Sequence, residues 1–329
     1  MKRVTWFVAS VLAVAVAAAA LVFQTSCAPA GSDSAKPAAP GKRLKFIFVC
    51  TCVNEAFFNP VKKGVRDAAK LVDVDTEYVG TEDVDLKAQA AMVAKAVADG
   101  YDGIAVDLVD TKAFDEVVAD AIAKGVPVVA FNTDDTTPNA RLSTVSQDVY
   151  RAGLKVGETA APLIPDKSRI LMTMHSENCS PLDDRLRGEQ EVLAKKGVTW
   201  KVVITGTDPE KCCEVITKAL KENPDIKFVL GTGQADTEGA GLAIERNFKG
   251  GGYACAGFDL SPEILRLIKA GHIKFTTDQQ PYIQGFYPVI QLALYVRHGI
   301  RPSNIDSGAT LIRAEDVDKV IPQSQAGYR

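Results

Sequence analysis

Eight short stretches of hydrogen-bonding residues punctuate this chain, at 51–55, 107–110, 132–135, 175–184, 208, 231–236, 259 and 278–280, all but the isolated Asp208 close behind a short apolar run. They are rich in Asp, Glu, Asn, Gln, Ser and Thr, side chains that accept, donate or do both. Brought to one place, such groups could satisfy a ligand built of hydroxyls, because each hydroxyl both donates and accepts and would otherwise be buried unpaired. Sugars have that demand, and their apolar ring faces favour aromatic neighbours, which Phe57 and Phe58 would supply just after the first polar stretch. Plainer readings stand beside this one. Asp, Asn, Ser and Thr after a strand also form turns and cap helices, and a Phe pair also fills cores. Eight such stretches are more than capping alone requires.

The elements between them alternate regularly. The run 44–50 is β-prone, and Val61, Val65, Ala68 and Val72 then recur at helical spacing. Strands are expected near 76–79, 104–106 and 126–131, with helices over 85–99 and from about 112 to 124. The rhythm restarts at Tyr150, with strands expected at 169–174, 200–204, 228–230, 253–258 and 273–277. Helices at about 182–196, 209–221, 236–247 and 262–270 separate them. Short apolar strands divided by helices mean βαβ units and parallel sheets covered on both faces. Two successive arrays predict an α/β fold of two doubly wound lobes. Ligands of such sheets sit at the carboxyl ends of the strands, beside the point where strand order reverses, which is where the polar stretches fall.

Five motifs carry a resemblance. Phe57-Phe58, Val126-Pro-Val-Val-Ala-Phe-Asn132, Asp184-Arg-Leu-Arg-Gly188, Gly257-Phe-Asp-Leu-Ser-Pro262 and Asp278-Gln-Gln-Pro-Tyr282 occur in this order. In that order they resemble the ribose- and galactose-binding family of periplasmic proteins, substrate-binding components of ABC sugar importers, over about residues 46–312. The resemblance implies the type I arrangement: two lobes joined by a three-segment hinge, with sugar or polyol bound between them. It places the first lobe at 44–146 plus 280–306 and the second at 147–279 plus 307–329. It implies that Phe57 and Phe58 stack on the ligand, with Thr51 and Glu55 among the first-loop contacts. Asp107 stands at a position that bears an amide in the family, and Asn132 where many members have Asp. Arg185 matches an arginine that reaches ring and hydroxyl oxygens, Asp259 a carboxylate of the second lobe, and Gln279 a glutamine beside a crossing. Gln234 and Asp236 lie near the family's second-lobe asparagine, and Asp134 shares the stretch of Asn132. On this basis, Arg185→Ala or Asp259→Ala should weaken binding and spare the fold.

The amino-terminal region points to export. Lys2 and Arg3 precede an apolar run from Phe7 to Phe23, a secretory signal pattern over residues 1–26. Thr25-Ser26-Cys27 resembles a bacterial lipobox, although Gln24 stands where that motif is usually apolar. Cys27 is therefore the expected lipidation site, and a lipid there would be the chain's only hold on a membrane, in the periplasm or at the cell surface. Residues 27–43, rich in Pro, Ala, Gly and Ser, suit a flexible tether. Six cysteines remain, an even number that permits disulfides in an exported protein. Two readings stand for them: a bridge from Cys179 to Cys212 or Cys213, or buried free thiols.

Other classes find little support. Net charge is −3 with no basic run, so nucleic acid is not an expected partner. The turn after the first strand lacks GxGxxG, and Gly231-Thr-Gly233 is too short to replace it. No metal-ligand spacing or catalytic triad is visible, so neither an enzyme nor a cofactor is expected. A repressor of the lactose type would begin with a basic helix-turn-helix, not an export signal. The expected partners are a small sugar or polyol and the permease subunits of an importer, with the chain itself monomeric. A ligand sensor of the same fold, coupled to a membrane receptor, is the alternative.

Overall fold

A computed structural model describes residues 42–329, except 111, 135, 136, 138 and 178. The expected signal, the expected lipidation site Cys27 and most of the expected tether lie outside the described residues.

Strand β1 (Lys45–Cys50) shows how the first sheet is built. Phe46, Phe48 and Cys50 point to one face, and Ile47 and Val49 to the other, with all five buried. A strand covered on both sides has no place for polar residues, which is why its sequence is continuously apolar. Helices α1 (Phe58–Val72) and α9 (Pro281–His298) cover the first face through Val61, Val65, Val289 and Leu292. Helices α2 (Leu86–Ala98) and α3 (Asp115–Ala123) cover the second through Val93, Ala96, Val118 and Ala121. Beside β1 lie β2 (Asp75–Gly80) and β3 (Gly103–Val106), then β4 (Val128–Asn132), β5 (Thr144–Ser146) and β11 (Ile305–Asp306). The order is β11-β5-β4-β3-β1-β2, and every pairing is parallel.

The second sheet repeats the plan. Its strands are β6 (Arg169–Met174), β7 (Thr199–Ile204), β8 (Phe228–Gly231), β9 (Ala254–Phe258), β10 (Ile273–Asp278) and β12 (Thr310–Ile312). They run in the order β12-β10-β9-β8-β6-β7, with only the β10–β12 pairing antiparallel. Helices α4 (Val149–Ala160) and α5 (Ser180–Ala194) cover one face. Helices α6 (Pro209–Glu222), α7 (Gln234–Asn247) and α8 (Pro262–Lys269) cover the other. A last helix, α10 (Val317–Gln325), adds Val317 and Val320 to that second cluster. The chain passes between the sheets three times: after β5, after β10 and between β11 and β12. In each sheet the order reverses beside the first strand, at β1/β3 and at β6/β8, so the crevices of both open toward the same gap.

Two pairs of helices touch backbone to backbone. A Cβ on Gly285 of α9 would fall 2.0 Å from the carbonyl oxygen of Val61 on α1, and one on Gly153 of α4 would fall 2.2 Å from that of Arg185 on α5. Only glycine permits either approach.

The lobes also meet across the gap, where Ser180 donates to the Val109 carbonyl through its hydroxyl at 2.7 Å and its N–H at 3.3 Å. This is a closed arrangement. No helix among the described residues is long and apolar enough to cross a membrane.

The cysteines follow the second of the two readings. Cys50, Cys52, Cys179, Cys212, Cys213 and Cys255 are all free and buried, so the bridge from Cys179 is not formed. The second sheet separates the partners. Cys179 packs with Met174 and Leu182, whereas Cys212 and Cys213 pack with Leu171, which points the other way from the same strand.

Candidate functional site

The gap between the lobes encloses a cavity of about 60 Å³, several times the ~10–15 Å³ that one water needs. Of the side chains singled out in the sequence, Thr51, Glu55, Phe57, Phe58, Asp107 and Asn132 line it from the first lobe. Arg185, Gln234, Asp259 and Gln279 line it from the second.

The strand ends reach the cavity through sharp turns. Cys52, Asn132 and Asp259 all line it, and all have left-handed backbones, with φ of 48°, 63° and 69°. This conformation suits Asn and Asp better than other non-glycine residues, because their short polar side chains bond locally. Asn132 donates to Asp107 Oδ1 at 3.2 Å, and the Thr133 hydroxyl donates to the same oxygen. The amide and the carboxylate are therefore bonded to each other.

That network leaves one acceptor spare. Asp107 is fully buried, and its Oδ2 has no partner among the described residues; Glu55 Oε1 is in the same condition. Burial raises both carboxyls, Asp107 to about 6 and Glu55 to about 7. At Glu55 a hydrogen bond with Cys52 works against the rise, while nearby Asp259, Asp236 and Asp107 add to it. Both groups bind a proton more tightly in the folded chain than in the unfolded one, where carboxyls titrate near pH ~4. The burial penalty is thus fully felt above about pH 7 and relieved as pH falls through the folded values. Glu55→Gln, which cannot ionise, is expected to be more stable than the parent above about pH 7 and to lose that advantage toward pH ~5. Urea titrations of ligand-free protein at a series of pH values would check this. A constant difference would disprove the assignment.

The second lobe contributes a fixed cation. Arg185 sits on the first turns of α5, is 5% exposed, and donates to the Thr232 carbonyl and to Gln147 Oε1, each at 2.8 Å. Its guanidinium lies 4.3 Å from the Phe258 ring centroid, and Nη1 is 3.9 Å from Asp259 Oδ2. Burial lowers its basicity, partly offset by Asp259. Arg185 Nε has no partner among the described residues. Gln279 donates to Asp259 Oδ1 at 2.6 Å, so that carboxylate is held from both sides.

Two singled-out residues stand elsewhere. Asp236 lies beneath the cavity, where its carboxylate accepts from the Thr173 hydroxyl and the Thr232 and Gly233 amides and starts α7. Asp134 faces away from the cavity, toward Arg141, whose Nη2 donates to it at 2.6 Å. Capping also accounts for Asp208, which accepts from the first amides of α6. The Phe pair serves two ends at once. Phe57 and Phe58 meet edge to face at 5.1 Å within the core and also wall the cavity.

Sequence reasoning did not single out Cys52, Thr133, His175, Pro181 or Leu182, and it placed Cys179 near the rim only as a disulfide candidate, although all of them line the cavity. His175 was available, since it directly follows β6 in a polar stretch. Burial and then the charge of Arg185 hold its imidazole down to about 4, so it faces the cavity uncharged at neutral pH. Leu182 carries no polar signal and could be found only from the fold.

Residues 46–299 match the periplasmic binding protein domain. The chain belongs to that family. A xylose/arabinose-binding protein of Sulfolobus acidocaldarius is 29% identical over 91% of this chain and 81% of its own length. Among solved structures, a glucose-galactose binding protein from Geobacillus stearothermophilus matches with a TM-score of 0.75 and 26% identity, covering 84% of this chain and 99% of its own. A carbohydrate transporter from Acidothermus cellulolyticus 11B, in complex with myo-inositol, matches at 0.78 and 26%, over 88% and 100%. The first two are binding proteins by name, and this chain, a member of the periplasmic binding protein family, is likewise a binding protein and not an enzyme. Among the described residues no group of His, Cys, Asp or Glu could hold a metal ion.

Proposed function

We propose that this chain is the extracytoplasmic receptor of an ABC importer, binding a simple sugar or sugar-like polyol between its lobes and delivering it to a permease. One observation carries the reading. The first lobe lines the cavity with Glu55 and Asp107, each carrying a buried carboxylate oxygen without a partner among the described residues, while the second lines it with Arg185, whose Nε is likewise unpartnered. Hydroxyls that donate to the first lobe and accept from the second would satisfy both at once. Neither lobe alone completes that set, so such a ligand would favour the closed form over the open one. Phe57 and Phe58 supply the apolar wall that a ring face prefers. Relatives that bind xylose or arabinose, glucose or galactose, and myo-inositol support the same class of ligand.

In this reading the first lobe is 44–146 with 280–306, and the second is 147–279 with 307–329. The binding set is Thr51, Glu55, Phe57, Phe58, Asp107, Asn132, Arg185, Gln234, Asp259 and Gln279. Thermal melting against a panel of pentoses, hexoses and polyols tests the function. A ligand that binds only the folded chain raises Tm, by ~2.7 kcal/mol of stability at a hundredfold excess over Kd. A panel that leaves Tm unmoved would overturn the sugar reading.

The receptor is proposed to act as a monomer, tethered by a lipid on Cys27 and residues 27–43 after removal of 1–26. Labelled palmitate fed to expressing bacteria is expected to enter the parent chain and not Cys27→Ala. Equal labelling of the two would rule the anchor out.

A further inference from the structure

Beside the cavity just described lies a larger chamber of about 220 Å³. The two share Phe57, Gln234 and Asp259 as a common threshold. Beyond that threshold the walls are apolar on Pro60, Leu260, Pro262 and Pro281, with Asn59 and Ser324 as uncharged polar points. The one additional charged pair is already matched, since Arg329 is bonded to the buried Asp278.

The segment that follows α10 forms the outer wall. After α10, Gly327 and Arg329 line the chamber, and Tyr328 packs across the lobes against Tyr282 of α9, with ring centroids 4.9 Å apart. Lys63 of α1 places its ammonium 4.5 Å from the Tyr328 ring centroid. Helix α10 belongs to the second lobe and both contacts to the first, so the tail bridges them and encloses the chamber.

We infer that this chamber is an outer subsite, which takes the second ring of a disaccharide or the substituent of a glycoside whose first ring fills the inner cavity. The inference rests on the sugar reading above and extends it. The chemistry fits a neutral ring. The inner cavity has spare carboxylate oxygens that demand several donors, whereas the outer one has no such demand and offers apolar surface with a few polar points. Ligand sites are commonly built that way, mostly apolar with a small number of placed polar groups. An anionic or cationic substituent would gain nothing, because Arg329 and Asp278 neutralise each other.

The test is calorimetric titration of the mature chain with xylose, arabinose, galactose and glucose, and with xylobiose, arabinobiose and lactose. At least one disaccharide is expected to bind within roughly tenfold of its own monosaccharide. Ser324→Trp, which fills the chamber from the tail, should weaken that disaccharide by roughly tenfold or more and leave the monosaccharide within about threefold. Asn59→Trp fills it from the opposite wall and serves if the first variant melts early without ligand. Monosaccharides that bind while all three disaccharides give no heat would overturn the outer subsite and leave the sugar reading intact. So would disaccharide binding that neither tryptophan alters. Silence from every sugar of both sizes would instead remove the reading on which the subsite rests.

Discussion

Arg185→Ala should remove about 3–5 kcal/mol of folding stability and most of the ligand affinity together. The side chain is buried, and its loss strands three acceptors: the Thr232 carbonyl, Gln147 Oε1 and the Asp259 carboxylate. Breaking a buried pair by removing one partner is costly because the other charge stays buried. The expectation from sequence that the fold would be spared treated this arginine as a strand-end group. It lies instead in the wall of α5, braced against the crossing that holds Gln147. Urea unfolding would read the stability term. Adding Asp259→Asn should restore part of it, because the stranded charge is gone. Titration with a sugar that binds the parent would read the second term, expected at about ten- to over a hundredfold for a lost charged hydrogen bond. A variant that unfolds within ~0.5 kcal/mol of the parent, the usual range of a surface change, would show that Arg185 carries no structural load.

Gly285→Ala is expected to be as damaging from a position that no ligand touches. The added methyl would stand 2.0 Å from the Val61 carbonyl oxygen, and backbone cannot rotate aside as a side chain can. Helices α1 and α9 would have to separate, opening the core that Val61, Val65, Val289 and Leu292 close. Overpacking typically costs about 1–3 kcal/mol and occasionally more, and a clash of 2.0 Å against backbone belongs at the upper end. The cavity-lining Phe57 and Phe58 lead directly into α1, so affinity should fall in whatever folded protein remains. Denaturant midpoints settle the first point. A midpoint unchanged from the parent would mean that the helices can part freely.

Much of this architecture is legible in the chain because each strand announces itself. Runs such as 46–50 and 128–131 are apolar at every position, which a helix-covered parallel strand requires, and glycines close the helices between them. The rule that ligands meet the carboxyl ends of strands then picks out Asp107, Asn132 and Asp259 with no knowledge of the contacts. It does not separate them from Asp208 and Asp236, which also lie beyond strand ends but spend their oxygens on backbone amides at helix starts. A carboxylate's neighbours decide that, and neighbours are set by the fold. Helix α9 was not evident for a similar reason. Its Gly285 and Pro288 are poor helix formers, although the first is what lets the helix lie so close to α1. Cys179 and Leu182 reach the cavity only because α5 begins at its rim.

The interleaving of the two sheets has a bearing on how the molecule comes into being. The first sheet is unfinished until β11, at residues 305–306, joins β5, and its core stays uncovered until α9 arrives. The second sheet needs β12, only a few residues further on. A chain emerging amino-terminus first therefore cannot complete its first lobe until nearly all of the second has been made. Pairings so distant in sequence form slowly, because loop closure must precede the contacts that reward it. The same wiring keeps both sheets incomplete through most of synthesis, so the polypeptide stays unlocked until residues 305–312 are available.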